Sequence, residues 1–164
     1  MSLATALTSA APDLSTRVIA YFSMEIALSP DLPTYSGGLG MLAGDTLRSA
    51  ADTAAPMVAI SLVHRLGYFR QHLSDLGQQT ESDVPWSPET TLPSANEVIA
   101  LTMQDRQILV RAWRFDVTGV TGHIIPVFLL DTDVEGNDPW DRRLTDHLYG
   151  GDTYYRLCQE TILG

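Results

Sequence analysis

The sequence predicts an α/β fold, and three observations carry that expectation. A short β-branched and aromatic run at residues 18–22 leads into a glycine-rich loop at 35–40. Helical apolar spacing then covers 39–54, and a second apolar run follows at 57–63. Strand, glycine loop, helix and strand in that order make a βαβ unit, whose crossover should be right-handed. Two alternating segments, 97–103 and 108–117, add an antiparallel hairpin.

Each element follows from its residues. Val18, Ile19, Ala20, Tyr21 and Phe22 read as a buried parallel strand. Residues 29–33 contain Pro30 and Pro33, which remove donors and fix φ, so this stretch is loop. The helix presents Leu39, Leu42, Ala43, Leu47, Ala50 and Ala51 on one face and ends before Pro56. Residues 67–71 read as a short strand. Residues 75–93 are rich in Ser, Thr, Pro, Gln and acids and read as loop. Residues 124–130 form another apolar strand ending at Asp131, and 132–139 an acidic loop. Residues 153–163 read as a helix with Asp152 as its N-cap. Residues 1–16 read as a disordered tail and 17–164 as the folded part.

The 164 residues suit one domain. At 45% hydrophobic residues, they are enough for a real core. The net charge is −10, every basic side chain is arginine and no lysine occurs. An acidic chain without a cationic cluster argues against nucleic acid and against an anionic membrane surface. It suits a neutral substrate, with any phosphate held locally by arginine or backbone N–H groups. One cysteine, Cys158, excludes an internal disulfide and fits a reducing cytoplasm. No apolar run approaches the ~20 residues of a membrane span, and the first residues lack the pattern of a signal peptide.

The motif richest in chemistry is Gly37-Gly38-Leu39-Gly40, between a strand and a helix. A helix N-terminus offers free N–H groups and a partial positive charge, which suits a phosphate. The same residues also read as an ordinary tight βα connection. The G-x-G-x-x-G spacing of dinucleotide sites is absent. Glu25 lies just past the first strand. It reads first as a solvated loop carboxylate, and otherwise as a group that orients the loop or binds sugar hydroxyls. The histidines and Cys158 show no metal-ligand spacing, and no G-x-S-x-G elbow occurs. Arg65, Arg70, Arg142 and Arg143 read as partners in surface ion pairs. Trp86, Trp113 and Trp140 read either as packing residues or as faces for sugar stacking.

Several strings together resemble bacterial α-glucan phosphorylases of the compact form. They are Ala20-Tyr-Phe-Ser-Met-Glu25, Thr34-Tyr-Ser-Gly-Gly-Leu-Gly40, Leu42-Ala-Gly-Asp-Thr-Leu-Arg48 and Gly67-Tyr-Phe-Arg-Gln71. Asp116-Val-Thr-Gly119, Val127-Phe-Leu-Leu-Asp-Thr132 and Leu144-Thr-Asp-His-Leu-Tyr-Gly-Gly-Asp152 continue the pattern, as does the stretch from Arg156 to Gly164. Their order and spacing are more specific than any one of them.

The resemblance implies an incomplete, Rossmann-like N-terminal domain of a GT-B glycosyltransferase, with an antiparallel hairpin insertion. It implies α-1,4-glucan and inorganic phosphate as substrates and glucose 1-phosphate as product. By that resemblance Gly37, Gly38, Leu39 and Gly40 face the glucosyl unit and the phosphates, with Glu25 close by. The family's cofactor is pyridoxal phosphate, held as a Schiff base on a lysine of the C-terminal domain. This chain has no lysine, so it cannot form that bond. The expectation is therefore an N-terminal piece, inactive alone, lacking its C-terminal domain and prone to self-association. Two other readings stand beside it. A starch or glycogen synthase-type N-domain shares the Gly-Gly-Leu-Gly loop, although its basic residue before the loop is replaced here by Thr34-Tyr-Ser36. A non-catalytic glucan-binding module is the other.

Overall fold

A computed structural model describes residues 17–164. The tail expected at 1–16 lies outside the described residues. Strand β1 (Ile19–Phe22) is followed by helix α1 (Gly38–Asp52) and β2 (Met57–Leu62). Strands β3 (Arg70–Leu73) and β4 (Gln79–Ser82), the one-turn helix α2 (Pro88–Thr91), and strands β5 (Ser94–Met103), β6 (Arg106–Thr118) and β7 (Ile124–Asp131) come next. A 3-10 turn at Asp141–Arg143 precedes helix α3 (Thr153–Leu163). The main sheet has the order β1-β2-β7-β6-β5, while β3 and β4 pair separately.

The sheet is mixed. β1, β2 and β7 run parallel, and β6 and β5 are antiparallel to their neighbours. The hairpin read from the alternating segments is therefore built into the main sheet through the β6–β7 pairing. Its two-residue turn places Gln104 and Asp105 at φ 50° and 64°, as a turn matched to strand twist requires. The parallel start needs its crossover helix, because parallel neighbours cannot be joined by a tight turn.

Two cores hold the sheet from its two faces. Ala43, Leu47, Ala50 and Ala51 of α1 pack with Ala59, Ile125, Val127 and Leu129. Cys158, Ile162 and Leu163 of α3 pack on the other side with Leu62, Ile108 and Val110. Asp152 caps α3 as the sequence implies, its Oδ1 accepting from the Tyr155 N–H at 2.9 Å.

Four expectations need correction. The first strand is not buried: β1 is an edge, with a partner on one side only, and Phe22 is 50% exposed. The run at 67–71 forms its strand later, at Arg70–Leu73, and pairs with β4 inside the stretch read as loop. Those strands are polar and exposed, so periodicity could not mark them. The helix face is also rotated. Leu39 and Leu42 are exposed, and Gly40 and Gly44 are buried in their place. A Cβ on Gly44 would lie 2.3 Å from the Ala27 carbonyl oxygen, so glycine lets the helix press against that backbone. Finally, Arg65 is only partly exposed, and its ion pairing reaches inward as well as to the surface. It donates to Asp131, which is fully buried, as well as to Glu89.

Candidate functional site

Three parallel strands end on the same edge of the sheet, and the chemistry-bearing residues collect there. Such edges are where ligands enter open α/β sheets. After β1 the chain turns at Ser23-Met24-Glu25. The Ser23 hydroxyl donates to the Glu25 carbonyl at 2.7 Å, and the Ile26 N–H donates to the Thr34 carbonyl at 3.0 Å. The Thr34 hydroxyl returns a 2.7 Å bond to the Ile26 carbonyl. Prolines 30 and 33 thus sit in a short excursion closed at its base, which delivers the glycine loop beside Glu25.

Glu25 is 3% exposed, not solvated. Its Oε2 accepts from the Ser36 N–H at 2.7 Å, the Ser36 hydroxyl at 3.2 Å and the Gly37 N–H at 3.3 Å. Its Oε1 accepts from the Tyr149 hydroxyl at 2.9 Å, a residue 124 positions away. Burial pushes this carboxyl up, but the bonds from Ser36, Tyr149 and Gly37 outweigh it and hold it below its ordinary value. Glu25 is thus an ionised clamp on the loop. Tyr149 responds in the opposite sense: burial and the Glu25 charge push its hydroxyl up to about 12.

The clamp leaves the start of α1 free. Gly37 is the N-cap and supplies no side-chain acceptor. The N–H groups of Gly38, Leu39 and Gly40 belong to the first turn, which has no intrahelical partners for them. Neither Gly37 nor Gly38 has positive φ, and a Cβ on either would meet nothing within 4 Å. These glycines are therefore not demanded by backbone strain. They keep open the space in front of the helix N-terminus. Gly40 differs: its Cβ would lie 2.5 Å from the Tyr35 Cβ and 2.9 Å from Glu25 Oε2. That glycine is needed for the clamp to close.

Two residues that the sequence reading did not single out complete the site. Tyr149 arrives because 145–148 run alongside 65–67. The Arg65 and Leu66 N–H groups donate to the Thr145 and Asp146 carbonyls, and the Leu148 N–H donates to the Gly67 carbonyl. Only its place in the Leu-Tyr-Gly-Gly-Asp string marked it beforehand. His64 follows β2 and is completely buried. Its Nε2–H donates to the Met24 carbonyl at 2.7 Å, bracing the segment that carries Glu25. Its Nδ1 has no hydrogen-bond partner among the described residues. Burial pulls its pKa down to about 4, despite the opposing pull of the Met24 bond and the Glu25 charge.

His64 therefore makes the fold acid-sensitive. The unfolded chain takes up a proton near pH 6.5, while the folded chain resists to about pH 4. The stability that neutral His64 protects is complete above pH 6.5 and falls as pH drops toward 4. We expect a loss of about 2 kcal/mol between pH 7 and 4.5 from this residue. Urea melts at both pH values check it. His64→Gln keeps a donor for Met24 and does not titrate, so the pH difference should shrink by that amount. An unchanged difference would assign the acid sensitivity to the carboxylates.

Beside Tyr149 lies a cavity of about 380 Å³ that includes Tyr68, Phe69, His147 and the acidic residues Glu81 and Asp83 in its lining. Tyr68 meets Tyr149 edge to face, with centroids 6.3 Å apart. Among the described residues no group of three or more His, Cys, Asp or Glu side chains could hold a metal ion. No helix among them is long and apolar enough to cross a membrane.

Comparison with known proteins decides the kinship. Over 154 residues, 89% of the chain, the sequence is 42% identical to a glycogen phosphorylase of Mycobacterium tuberculosis (strain ATCC 25618 / H37Rv). Over 153 residues it is 38% identical to a maltodextrin phosphorylase of Thermococcus litoralis. The chain is homologous to the glycogen and maltodextrin phosphorylases. A glycogen phosphorylase of Aquifex aeolicus matches at 31% identity over 161 residues. This phosphorylase-related chain spans 17%, 18% and 22% of the lengths of the Mycobacterium, Thermococcus and Aquifex proteins respectively. No family model matches it.

Proposed function

We propose that this chain is the N-terminal part of an α-1,4-glucan phosphorylase, forming one Rossmann-like wall of a GT-B cleft. In that role the start of α1, at Gly37, Gly38, Leu39 and Gly40, faces the glucosyl unit and the phosphate. The observation that carries the reading is the Glu25 clamp. A buried carboxylate accepts from the Ser36 and Gly37 N–H groups and leaves those of the first helical turn without intrahelical partners, with open space beside the Gly37 and Gly38 Cα atoms. Those N–H groups and the helix dipole favour an anionic oxygen. Stabilising developing charge this way needs donors fixed before the reaction, and the clamp fixes them. The cavity lined by Tyr68, Phe69 and Tyr149 suits a sugar ring. The names of the relatives favour phosphorolysis over transfer from a nucleotide sugar.

None of these residues is a nucleophile or a proton donor to the glycosidic bond. The remaining groups lie elsewhere in the complete enzyme. Pyridoxal phosphate does not fit this chain as a covalent cofactor, since no lysine side chain is present. In the complete enzyme its attachment belongs to the missing C-terminal domain. The exposed β1 edge, with Val18, Ile19 and Phe22, is surface for that remainder to cover, and alone it favours self-association. The lone cysteine, Cys158, fits a reducing cytoplasm as the setting.

The test is phosphorolysis of a soluble maltodextrin by the complete enzyme carrying this segment, read as glucose 1-phosphate release. Glu25→Gln should lower turnover by roughly 10- to 100-fold through misplacement of the loop. Wild-type turnover with no glucose 1-phosphate formed, or full activity in Glu25→Gln, would overturn the reading.

A further inference from the structure

His64 carries a backbone conformation that histidine seldom adopts. Its φ is 48°, in the left-handed region that suits glycine and, among residues with a Cβ, chiefly asparagine and aspartate. Such strain persists only where the surroundings hold it, and it clusters at functional sites. Here it lets one residue serve two sides. The His64 carbonyl accepts from the Gly67 N–H and from the Trp86 Nε1–H, each at 2.9 Å. The ring meanwhile reaches the Met24 carbonyl, one residue before Glu25, at 2.7 Å. The Ser61 hydroxyl is that carbonyl's second donor, at a longer 3.4 Å. His64 therefore supplies the short bond.

The other arm of the clamp passes the same residue. The Arg65 N–H donates to the Thr145 carbonyl, and the Leu148 N–H to the carbonyl of Gly67. The His147 carbonyl, like that of Met24, favours a proton on the His64 ring, and Gln159 Nε2 holds it at 2.9 Å. Glu25 and Tyr149 thus belong to two chain segments that meet at His64. Burial keeps the ring neutral, so it has one N–H to give, and Met24 takes it.

We propose that His64 is a positioning residue of the glycine-loop site: its bond to Met24 sets where Glu25 stands and, through Glu25, where the Ser36 and Gly37 N–H groups stand. It touches no substrate and acts only through the clamp. Its link to turnover rests on the function proposed above, and its link to the clamp does not.

Two substitutions with opposite demands test this in the complete enzyme. Asparagine tolerates the left-handed backbone, but its amide stops about one bond short of the Nε2 position and loses Met24. Glutamine reaches that position with an N–H but suits the backbone less. A residue kept for its backbone would favour His64→Asn, whereas one kept for the Met24 bond favours His64→Gln. Hydrogen–deuterium exchange over residues 34–40, read by mass spectrometry, needs no turnover. Exchange there should quicken roughly tenfold in His64→Asn and stay near wild type in His64→Gln. Maltodextrin phosphorolysis should show kcat about tenfold lower in His64→Asn at nearly constant KM, with His64→Gln recovering to within about threefold of wild type. In a Glu25→Gln background His64→Asn should cost no further turnover, because both act through one clamp.

Unchanged exchange over 34–40 in folded His64→Asn overturns the proposal, whatever the turnover. So does a His64→Asn loss that multiplies the Glu25→Gln loss. Failure of His64→Asn to fold in thermal melts would assign His64 to the fold and overturn it as well. A wild-type enzyme that forms no glucose 1-phosphate overturns the phosphorolysis reading alone, and the exchange measurement still decides this one.

Discussion

Asp131→Ala should be among the most destabilising single substitutions in this chain, by about 3–5 kcal/mol. Asp131 sits at the end of β7 with its side chain fully buried. Its Oδ1 accepts from Arg65 Nε at 3.1 Å and from the Asp133 N–H at 2.9 Å. Its Oδ2 accepts from an Arg65 terminal nitrogen at 2.6 Å and from Trp113 Nε1 at 2.8 Å, with Arg111 Nε 3.6 Å away. One carboxylate thus ties the segment after β2 to β6 and β7. Removing it takes two of the bonds of the half-buried Arg65 guanidinium, leaving Glu89 as its remaining acceptor, and leaves the Trp113 N–H without one. The penalty is that of uncompensated buried polar groups, and it exceeds the worth of the bonds themselves. Urea-induced unfolding measures it. A double variant, Asp131→Leu with Arg65→Met, should recover much of the loss, because an apolar pair of similar volume carries no such penalty. A loss below about 1 kcal/mol for Asp131→Ala would mean that water reaches Arg65 and that the cluster is not structural.

Gly38→Ala in the complete enzyme should cut turnover by about 10²–10³ while leaving stability nearly unchanged. The separation of the two effects follows from geometry. Gly38 is the first residue of α1, its φ is not positive, and an added Cβ meets no protein atom within 4 Å. Alanine at a helix position compatible with its backbone is neutral or stabilising by up to about 1 kcal/mol. The methyl group would instead occupy the space the ligand needs against the backbone N–H groups. Losing one preorganised donor of this type costs about 3–4 kcal/mol in the transition state. Maltodextrin phosphorolysis and thermal melts on the same variant measure both effects. Gly40→Ala is the contrast, because its Cβ collides with Tyr35 and Glu25, and it should lower the melting temperature as well. A Gly38→Ala enzyme within threefold of wild-type turnover would reduce the loop to a structural connection.

The residues alone determined the strand, glycine loop, helix and strand order, the β5–β6 hairpin and the Asp152 cap. Each depends on chemistry local in sequence: β-branched runs, glycines and prolines that punctuate, alternation, and a side chain bonding three residues along. The motif strings also carried the kinship. Burial was not local, and there the sequence misled. The apolar run of β1 reads as interior, yet β1 lies at the sheet edge because β7 takes the other side of β2. Gly40 reads as part of the glycine loop and Gly44 as one more helix position, yet both are buried, and a Cβ on them would collide with Tyr35 and Glu25 or with the Ala27 backbone. Glu25 and Arg65 read as solvated charges. Tertiary structure buries Glu25 and half-buries Arg65 because their partners, Tyr149 for one and Asp131 for the other, come from strands and loops 124 and 66 positions away. A buried charge is tolerated only where its hydrogen bonds are met. Which distant groups meet them is decided when the sheet assembles, and no periodicity in the chain records it.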